Sequence, residues 1–183
     1  MKIELVAAAV ALGLVAAPST VEAKGKAKTK ASAKAPTGPQ GTQEEARQLL
    51  EELAKPNVDH KALTAKLRPQ PADFAVLFVA ESATKAREAY EKAWSDPKMV
   101  IEHAPDQTDL KLFGAKVEEI DKGQGEANEF PGGYKKVIKQ FRPGLTIYAW
   151  RFVRPGEKIG TAYDGLVFVN GHFVWLPKPW KAL

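Results

Sequence analysis

The residue with the clearest capacity for chemistry is an aspartate inside an otherwise apolar stretch, Asp164 in AYDGLVFV. Side chains alternate between the two faces of a β-strand, so the spacing predicts which residues share a face with this carboxylate. A carboxylate on an aromatic face needs a hydrogen-bonding partner or takes a raised pKa. Asp164 is therefore the candidate for a catalytic acid or base. Four apolar neighbours are predicted beside it: Leu166, Phe168, Phe173 and Trp175.

Two alternatives to catalysis stay open for Asp164. The Asp164-Gly165 pair is typical of a β-bulge, which would turn the aspartate toward solvent. If the carboxylate is buried instead, a structural hydrogen bond to Arg151 or Tyr148 accounts for it equally well. The candidates for ligand binding, or for assisting the aspartate, are four side chains: Tyr148, Arg151, Tyr163 and Trp175.

Other catalytic and metal-binding chemistries have no motif in the sequence. The chain contains no cysteine, which excludes a disulfide, a thiol nucleophile and a thiolate metal site. His60, His103 and His172 lack any spacing typical of a metal site, so neither a metal nor a cofactor is predicted. His172 follows the turn Asn170-Gly171, where exposure to solvent is expected. PGGY supplies glycines, but the residues of a phosphate-binding loop do not follow it.

The strands that must position these residues lie at the end of the sequence. There the apolar period changes from 3.6 to 2, and strands are predicted in LTIYAWRFVR, IGTAYDGLVFV and HFVWL. Pro177 and Pro179 end the last strand, and PKPW is expected to run extended with Trp180 packed on the helices. With NG as a two-residue loop, the predicted register pairs Val169 with His172, Phe168 with Phe173, Val167 with Val174 and Leu166 with Trp175.

A helical half precedes these strands. Thr42 and Glu45 form a capping box that opens a helix, which ends at Pro56. A short helix is expected at residues 59–67, and RPQPADFAVLFV begins another that continues through ESATKAREAYEKAW. MVIEHA and TDLKLFGA are each expected as a short strand, and EFPGGYKKVIKQFRPG as a loop followed by a short helix. The chain is therefore predicted to be α+β, with N-terminal helices packed on a C-terminal antiparallel meander.

The first 42 residues differ in composition from the rest. Residues 1–23 resemble a secretory signal peptide, with Lys2, an apolar run and small residues before a cleavage point after Ala23. The run is short for a membrane span, so no transmembrane anchor is expected after cleavage, and the product is expected in the periplasm or outside the cell. Residues 24–42 contain no large apolar residue and are predicted to be a disordered linker, leaving residues 43–183 as a single α+β domain.

The net charge of +5 is concentrated in the predicted linker. Residues 43–183 carry 21 basic and 20 acidic side chains, so the domain is nearly neutral and nucleic acid is not expected as a partner. The linker is interpreted either as a solvated spacer or as a contact with anionic components of the cell envelope. Nothing in the sequence indicates an oligomeric state. The envelope contact would use five lysines: Lys24, Lys26, Lys28, Lys30 and Lys34.

Several motifs in the second half resemble those of an uncharacterised family of small secreted bacterial proteins. They are FPGGY, PGEKIGTAYDGLVFVNGHFVWLPKPW, RPQPADF and AYEKAW, and together they cover most of residues 67–180. This resemblance implies no activity and no catalytic residues. Helices followed by a curved antiparallel sheet that ends in an NG hairpin are also similar to the NTF2-like (SnoaL-like) cone fold. That fold often encloses an apolar pocket but does not determine a function.

Three functions remain open on the sequence alone. The first is a non-enzymatic module that binds a small ligand or an envelope component, indicated by the export signal and the lack of a catalytic constellation. The second is a small NTF2-like isomerase or hydrolase that uses Asp164 as acid or base, assisted by Tyr163, Tyr148 or Arg151. The third is a structural or assembly factor without any pocket.

Overall fold

The computed structural model describes residues 38–183, and the predicted signal peptide and the five linker lysines lie outside these residues. α1 spans Gln43–Ala54 and begins with the predicted capping box. Thr42 Oγ1 accepts from the Glu45 N–H at 3.2 Å, while the Glu45 carboxylate accepts from the Thr42 N–H at 3.0 Å. The fully buried Leu50 lies on the apolar face of this helix. Within the described residues, no helix is long and apolar enough to cross a membrane.

The next helical stretch is interrupted where the sequence predicted a continuous helix. Phe78 forms a single β-bridge with Phe141, and the Val79 N–H donates to the Gln140 carbonyl at 2.8 Å. The prediction was wrong because this contact, with the two phenyl centroids 4.6 Å apart, holds Phe78 in an extended conformation. Two helices therefore replace the predicted one: α3, Asp73–Leu77, and α4, Ala80–Ala93. The separate short helix expected at residues 59–67 is α2, His60–Ala65.

The middle of the chain contains one of the two strands expected there. Ile101, inside MVIEHA, is buried, but its N–H donates to the Thr64 hydroxyl at 3.0 Å rather than to a neighbouring strand. That strand prediction was therefore wrong, whereas TDLKLFGA does form β1, Asp109–Lys116. Short helical elements follow β1: α5, Val117–Lys122, and 3-10 helices at Gly125–Glu129, Gly132–Lys136 and Ile138–Gln140.

The sheet has four strands in a meander. Each strand is antiparallel to its neighbour in the order β1-β2-β3-β4, which confirms the predicted α+β class. The predicted register of the last hairpin is also confirmed, since Val169 pairs with His172 and Leu166 with Trp175. The three strands after β1 are β2, Thr146–Val153; β3, Gly160–Val169; and β4, His172–Trp175.

Both faces of the sheet are buried, and they differ in the side chains they carry. α3, α4 and α5 pack with one face, and α1 packs with the other. The aliphatic face carries small or branched residues: Ile147, Ala149, Val167, Val169 and Val174. The aromatic face carries five ring side chains: Tyr148, Trp150, Phe152, Phe173 and Trp175.

Candidate functional site

A β-bulge changes the position of the main candidate residue. β2 and β3 pair as Tyr148 with Leu166 and then as Ala149 with Asp164, which leaves Gly165 as an extra residue. Gly165 has φ 88°, a backbone conformation that favours glycine. The extra residue inverts the alternation of side chains. Asp164 therefore projects from the aliphatic face, and the prediction that it shares the aromatic face was wrong.

Asp164 is buried, so the bulge does not turn it to solvent as the alternative interpretation expected. The residue as a whole is 5% exposed. Oδ1 accepts two hydrogen bonds at 3.0 Å, one from the Tyr134 hydroxyl and one from the Lys178 backbone N–H. The Trp175 indole N–H donates to the Asp164 carbonyl, also at 3.0 Å. Among the described residues none donates to Oδ2, which leaves half of the carboxylate available to a ligand.

Three of the sequence motifs meet at this carboxylate. Tyr134 comes from FPGGY, Asp164 from AYDG and Lys178 from PKPW. PKPW does not run extended as predicted, because Lys178 has φ 50° and directs its N–H to the aspartate. A Cβ at Gly133 would overlap the ring of Trp180, which packs edge-on against Tyr134 with ring centroids 5.5 Å apart. The motifs therefore specify a single arrangement in which the aspartate is held.

Burial controls the ionisation of this group of residues. Loss of hydration raises the pKa of Asp164, and the hydrogen bonds from Lys178 and Tyr134 offset only part of that rise. Burial, followed by the negative charge of Asp164, raises the pKa of Tyr134 and Tyr90 well above the usual range. Tyr90 donates its hydroxyl proton to the Pro177 carbonyl at 3.2 Å. The two phenols therefore act as hydrogen-bond donors, and Asp164 is the member of the group whose charge changes with pH.

Asp164 lies in the walls of two clefts. The larger, the β3 cleft, has a volume of about 560 Å³, and the smaller, the Arg151 cleft, has a volume of about 350 Å³. Both volumes suit a small organic ligand. The two clefts share four wall residues: Ala162, Tyr163, Asp164 and Lys178. The β3 cleft adds apolar and cationic side chains, among them Tyr90, Met99, Trp175, Lys98 and Lys181.

Three of the four predicted binding residues line these clefts. Tyr163 and Trp175 lie in the β3 cleft, and the Tyr163 hydroxyl accepts from the Glu102 N–H at 2.8 Å. Arg151 lies in the cleft named after it and forms an ion pair with Glu129, with Nη1 and Oε2 2.9 Å apart. The structure thus brings these predicted residues near Asp164 along β2, β3 and β4.

The fourth predicted residue lies elsewhere. The side chain of Tyr148 is on the aromatic face, and its hydroxyl donates to the Gly41 carbonyl at 2.8 Å. Neither Tyr148 nor Arg151 forms a hydrogen bond with Asp164, so the predicted structural bond to one of them was wrong. For Tyr148 the bulge is the reason, because it places the carboxylate on the opposite face, where Tyr134 meets it. Arg151 lies on the same face as Ala149 and Asp164, but its guanidinium pairs with Glu129 instead.

His172 was expected to be exposed at the hairpin tip, and 38% of its side chain is exposed, but its ring also reaches a buried carboxylate. Its Nε2 lies 3.2 Å from Oδ2 of Asp73, and the Asn170 amide donates to Oδ1 of the same carboxylate at 2.8 Å. The Gln70 N–H donates to Oδ2 at 2.7 Å. Asp73 is 1% exposed and lines neither the β3 cleft nor the Arg151 cleft. These four residues, the Asp73 cluster, join the last hairpin to the start of α3.

The remaining histidines lie close together. The rings of His60 and His103 have centroids 5.5 Å apart, and both nitrogen atoms of His103 lie within 3.2 Å of main-chain carbonyl oxygens. In the part of the chain that the structure describes, no three acidic or histidine side chains are grouped as a metal site requires.

We call Asp164 and its three neighbours Tyr90, Tyr134 and Lys178 the Asp164 site. Sequence reasoning did not identify these three neighbours. The two tyrosines fit the apolar stripes of predicted helices, and Lys178 contributes a backbone N–H that no side-chain pattern reveals. One usable signal was present, the Asp-Gly pair. A bulge at that pair shifts the register by one residue, and that shift moves the aspartate to the other face of the sheet.

Comparisons with known protein families, with curated proteins and with solved structures found no match for this chain. Neither a family nor a shared fold therefore assigns the site a role. A function has to be argued from the burial, hydrogen bonds and charges around Asp164.

Proposed function

We propose that the chain is a non-enzymatic binding module whose β3 cleft takes a small amphipathic ligand with an anionic group. The observation that carries this proposal is the carboxylate of Asp164, held at Oδ1 by Tyr134 and Lys178 and free at Oδ2. A rigidly held polar group in a cleft with apolar walls orients a ligand and provides specificity. A hydroxyl or amide of the ligand would donate to Oδ2.

The charges around the cleft favour an anionic ligand. Lys98, Lys178 and Lys181 are exposed in its wall, and within the described residues none of them forms a salt bridge. Asp96 also lines the cleft, and its carboxylate accepts from the Lys98 N–H at 2.9 Å. Three exposed lysines and one exposed carboxylate line the cleft, since Asp164 is buried, so the cations outnumber the anions at the surface that a ligand would meet.

The module is proposed to work outside the cytoplasm. In this proposal residues 1–23 direct export to the periplasm or the medium. Residues 24–42 then act as a lysine-rich tether, or bring the domain to anionic components of the envelope. The nearly neutral domain supports a small ligand rather than nucleic acid as the partner.

Calorimetric titration of the full chain tests the binding function. The probes are decanoate and octyl phosphate, with decanol as the uncharged control. We expect both anions to bind and the alcohol to bind more weakly, because the alcohol gains nothing from the lysines. At a pH of about 6 octyl phosphate keeps one acidic hydroxyl that can donate to Oδ2, whereas decanoate has no donor. Asp164→Asn should therefore weaken octyl phosphate more than decanoate while keeping the fold, since the amide oxygen still accepts from Tyr134; Asp121→Asn, on an exposed part of α5, is the matched control. Failure of both anions to bind would contradict the proposal.

Acid catalysis is the second candidate, with the same cleft as the substrate site of a small NTF2-like isomerase or hydrolase. A buried carboxyl with a raised pKa inside a cleft favours this alternative. The assisting donors would be Tyr134 and the Lys178 N–H rather than Tyr148 or Arg151. Turnover of an ester, epoxide or unsaturated ketone that is lost in Asp164→Asn would replace the binding proposal.

A further inference from the structure

Half of β3 has an edge that no strand covers. β3 contains 10 residues, whereas β4 contains 4 and pairs only with residues 166–169. Pro177 has no N–H to continue the ladder, and β4 ends before it. Residues 160–164 therefore pair with β2 on one side and with no strand of the described residues on the other.

This free edge is accessible. Ala162 is exposed near its centre, and Ile159, directly before it, is 84% exposed. Outside the sheet ladder, no backbone hydrogen bond within residues 38–183 involves residues 160–163. Proteins usually protect free strand edges with charges, prolines or covering segments. Here the exposed Ile159 lies beside the open edge, which therefore presents an apolar side chain together with unpaired main-chain groups.

The free edge and the β3 cleft form one surface, because Ala162, Tyr163 and Asp164 belong to both. A strand added to this edge would direct every second side chain into the cleft. The exposed lysines of the cleft wall would then lie along the added strand. The surface therefore offers main-chain pairing, an apolar cleft and positive charge together.

We propose that the ligand of the β3 cleft is an extended acidic peptide that pairs with β3 at residues 160–163, since the Asp164 carbonyl already accepts from the Trp175 indole. This inference rests on the binding function of the cleft and adds the class of the ligand. Main-chain hydrogen bonds supply affinity, while alternate side chains in the cleft supply specificity. The charge complementarity with Lys98, Lys178 and Lys181 selects acidic over basic segments. The partner is a protein segment in which apolar and acidic residues alternate.

The test uses the full chain and acetylated, amidated heptapeptides of pattern TXEXEXT, with X as Val, Phe or Tyr. The matched controls carry lysine in place of glutamate. Calorimetry is expected to show that at least one acidic peptide binds roughly tenfold or more tightly than its basic counterpart. Hydrogen exchange followed by NMR is expected to show new protection of amides within residues 160–163 when the acidic peptide is bound.

N-methylated peptides separate strand pairing from side-chain contact. Methyl groups on the nitrogens of peptide positions 2, 4 and 6 block one backbone edge, and methyl groups on positions 3 and 5 block the other. Pairing predicts that one methylated peptide loses binding by roughly tenfold or more while the other stays within about threefold of the parent. Equal effects of the two methylations would overturn strand addition.

Two double substitutions in the protein test whether the lysines of the cleft wall attract the acidic peptide. Lys98→Gln combined with Lys181→Gln should weaken the acidic peptide by roughly three- to tenfold, as expected for two exposed ion pairs. Lys135→Gln combined with Lys139→Gln, at exposed positions outside the β3 cleft, should leave binding unchanged. An equal effect of the two double substitutions would contradict the assignment of the lysines.

Failure of the peptide inference is distinct from failure of the binding function. If decanoate or octyl phosphate binds and no heptapeptide does, the inference is wrong and the binding function stands. If no probe binds, both are wrong. If the chain dimerises in sedimentation with protected amides within residues 160–163 and no peptide present, the edge belongs to a second copy and the inference is overturned.

Discussion

The Asp73 cluster and the Asp164 site both contain a buried aspartate, and they differ in how completely its oxygen atoms are used. Both oxygens of Asp73 have hydrogen-bond partners, and the residue lines neither the β3 cleft nor the Arg151 cleft. Asp164 is bonded at Oδ1 alone and lines both of these clefts. Burial of a carboxylate therefore does not identify a site. An unused oxygen beside a cleft is available to a ligand, and this is the observation on which the binding proposal for Asp164 rests.

The backbone around the two aspartates differs in degree. Asn170, whose amide donates to Asp73, has φ 49°, and Lys178, whose N–H donates to Asp164, has φ 50°. Asparagine adopts this left-handed region several-fold more often than most non-glycine residues, and it is favoured in a two-residue hairpin turn. Lysine has neither advantage, so the costlier of the two conformations lies beside Asp164.

Removal of the Asp73 carboxylate is expected to have the largest effect on stability. Asp73→Ala leaves the Asn170 amide and the Gln70 N–H without their acceptor, and we expect a loss of about 2–4 kcal/mol in the free energy of unfolding. Urea titration measures it. Asp121→Ala, on an exposed part of α5, is the control. A loss no greater than that of the control would show that the Asp73 cluster is not structural.

Substitution at the bulge is expected to have the next largest effect. Gly165→Ala places a side chain at φ 88° and brings its Cβ into the Leu176 carbonyl, so we expect about 2–3 kcal/mol of destabilisation. Gly171→Ala is a matched control, because Gly171 has φ 83° but no atom within 4 Å of an added Cβ. Equal losses in the two variants, measured by thermal unfolding, would show that steric contact at the bulge is unimportant.

Loss of the Tyr134 hydroxyl should have a moderate effect on stability and a specific effect on ionisation. Tyr134→Phe removes one donor to Asp164 Oδ1, and we expect about 1–2 kcal/mol of destabilisation. The pKa of Asp164 should rise further, since the lost bond favours the charged form. Carbon-13 NMR of the carboxyl group measures this. In Tyr163→Phe, whose hydroxyl contacts Glu102 instead, the pKa of Asp164 should not move.

The effect of pH on stability is expected to be the smallest of the four, and it tests the ionisation of Asp164 directly. Asp164 has a raised pKa in the folded chain, so the unfolded chain releases this proton at lower pH than the folded chain does. Stability attributable to Asp164 is therefore lost as the pH rises from the ordinary aspartate range through the raised folded pKa. Asp164→Asn should abolish this slope and become relatively more stable above that range. An unchanged slope in urea titrations across pH 3–8 would exclude Asp164 as its source.

Local patterns predicted the elements whose determinants are close in sequence. Thr42 and Glu45 are three residues apart, and Asn170-Gly171 alone determines the register of β3 and β4. The errors have distant causes. Phe78 leaves the helix because of Phe141, 63 positions later, and neither residue alone signals that contact.

The candidate site was only partly predictable for the same reason. Asp164 was identified from its position among apolar strand residues, but its face depends on one extra residue in the ladder. Its partners Tyr134 and Lys178 lie 30 and 14 positions away along the chain. One contributes a phenol from a 3-10 helix and the other a main-chain N–H at an unusual φ. Neither kind of contact produces a periodic pattern of residues in the sequence.

Tryptophans lie in the walls of both clefts, so the intrinsic fluorescence of the chain can report ligand binding. Trp175 lines the β3 cleft and donates its indole N–H to the Asp164 carbonyl, while Trp180 lines the Arg151 cleft and packs on Tyr134. Indole emission responds to the polarity and charge of its surroundings. Occupation of either cleft should therefore change the intrinsic fluorescence without any attached dye. Trp175→Phe would remove the tryptophan of the β3 cleft, so a remaining change would report on the Arg151 cleft, whose wall contains Trp150 and Trp180.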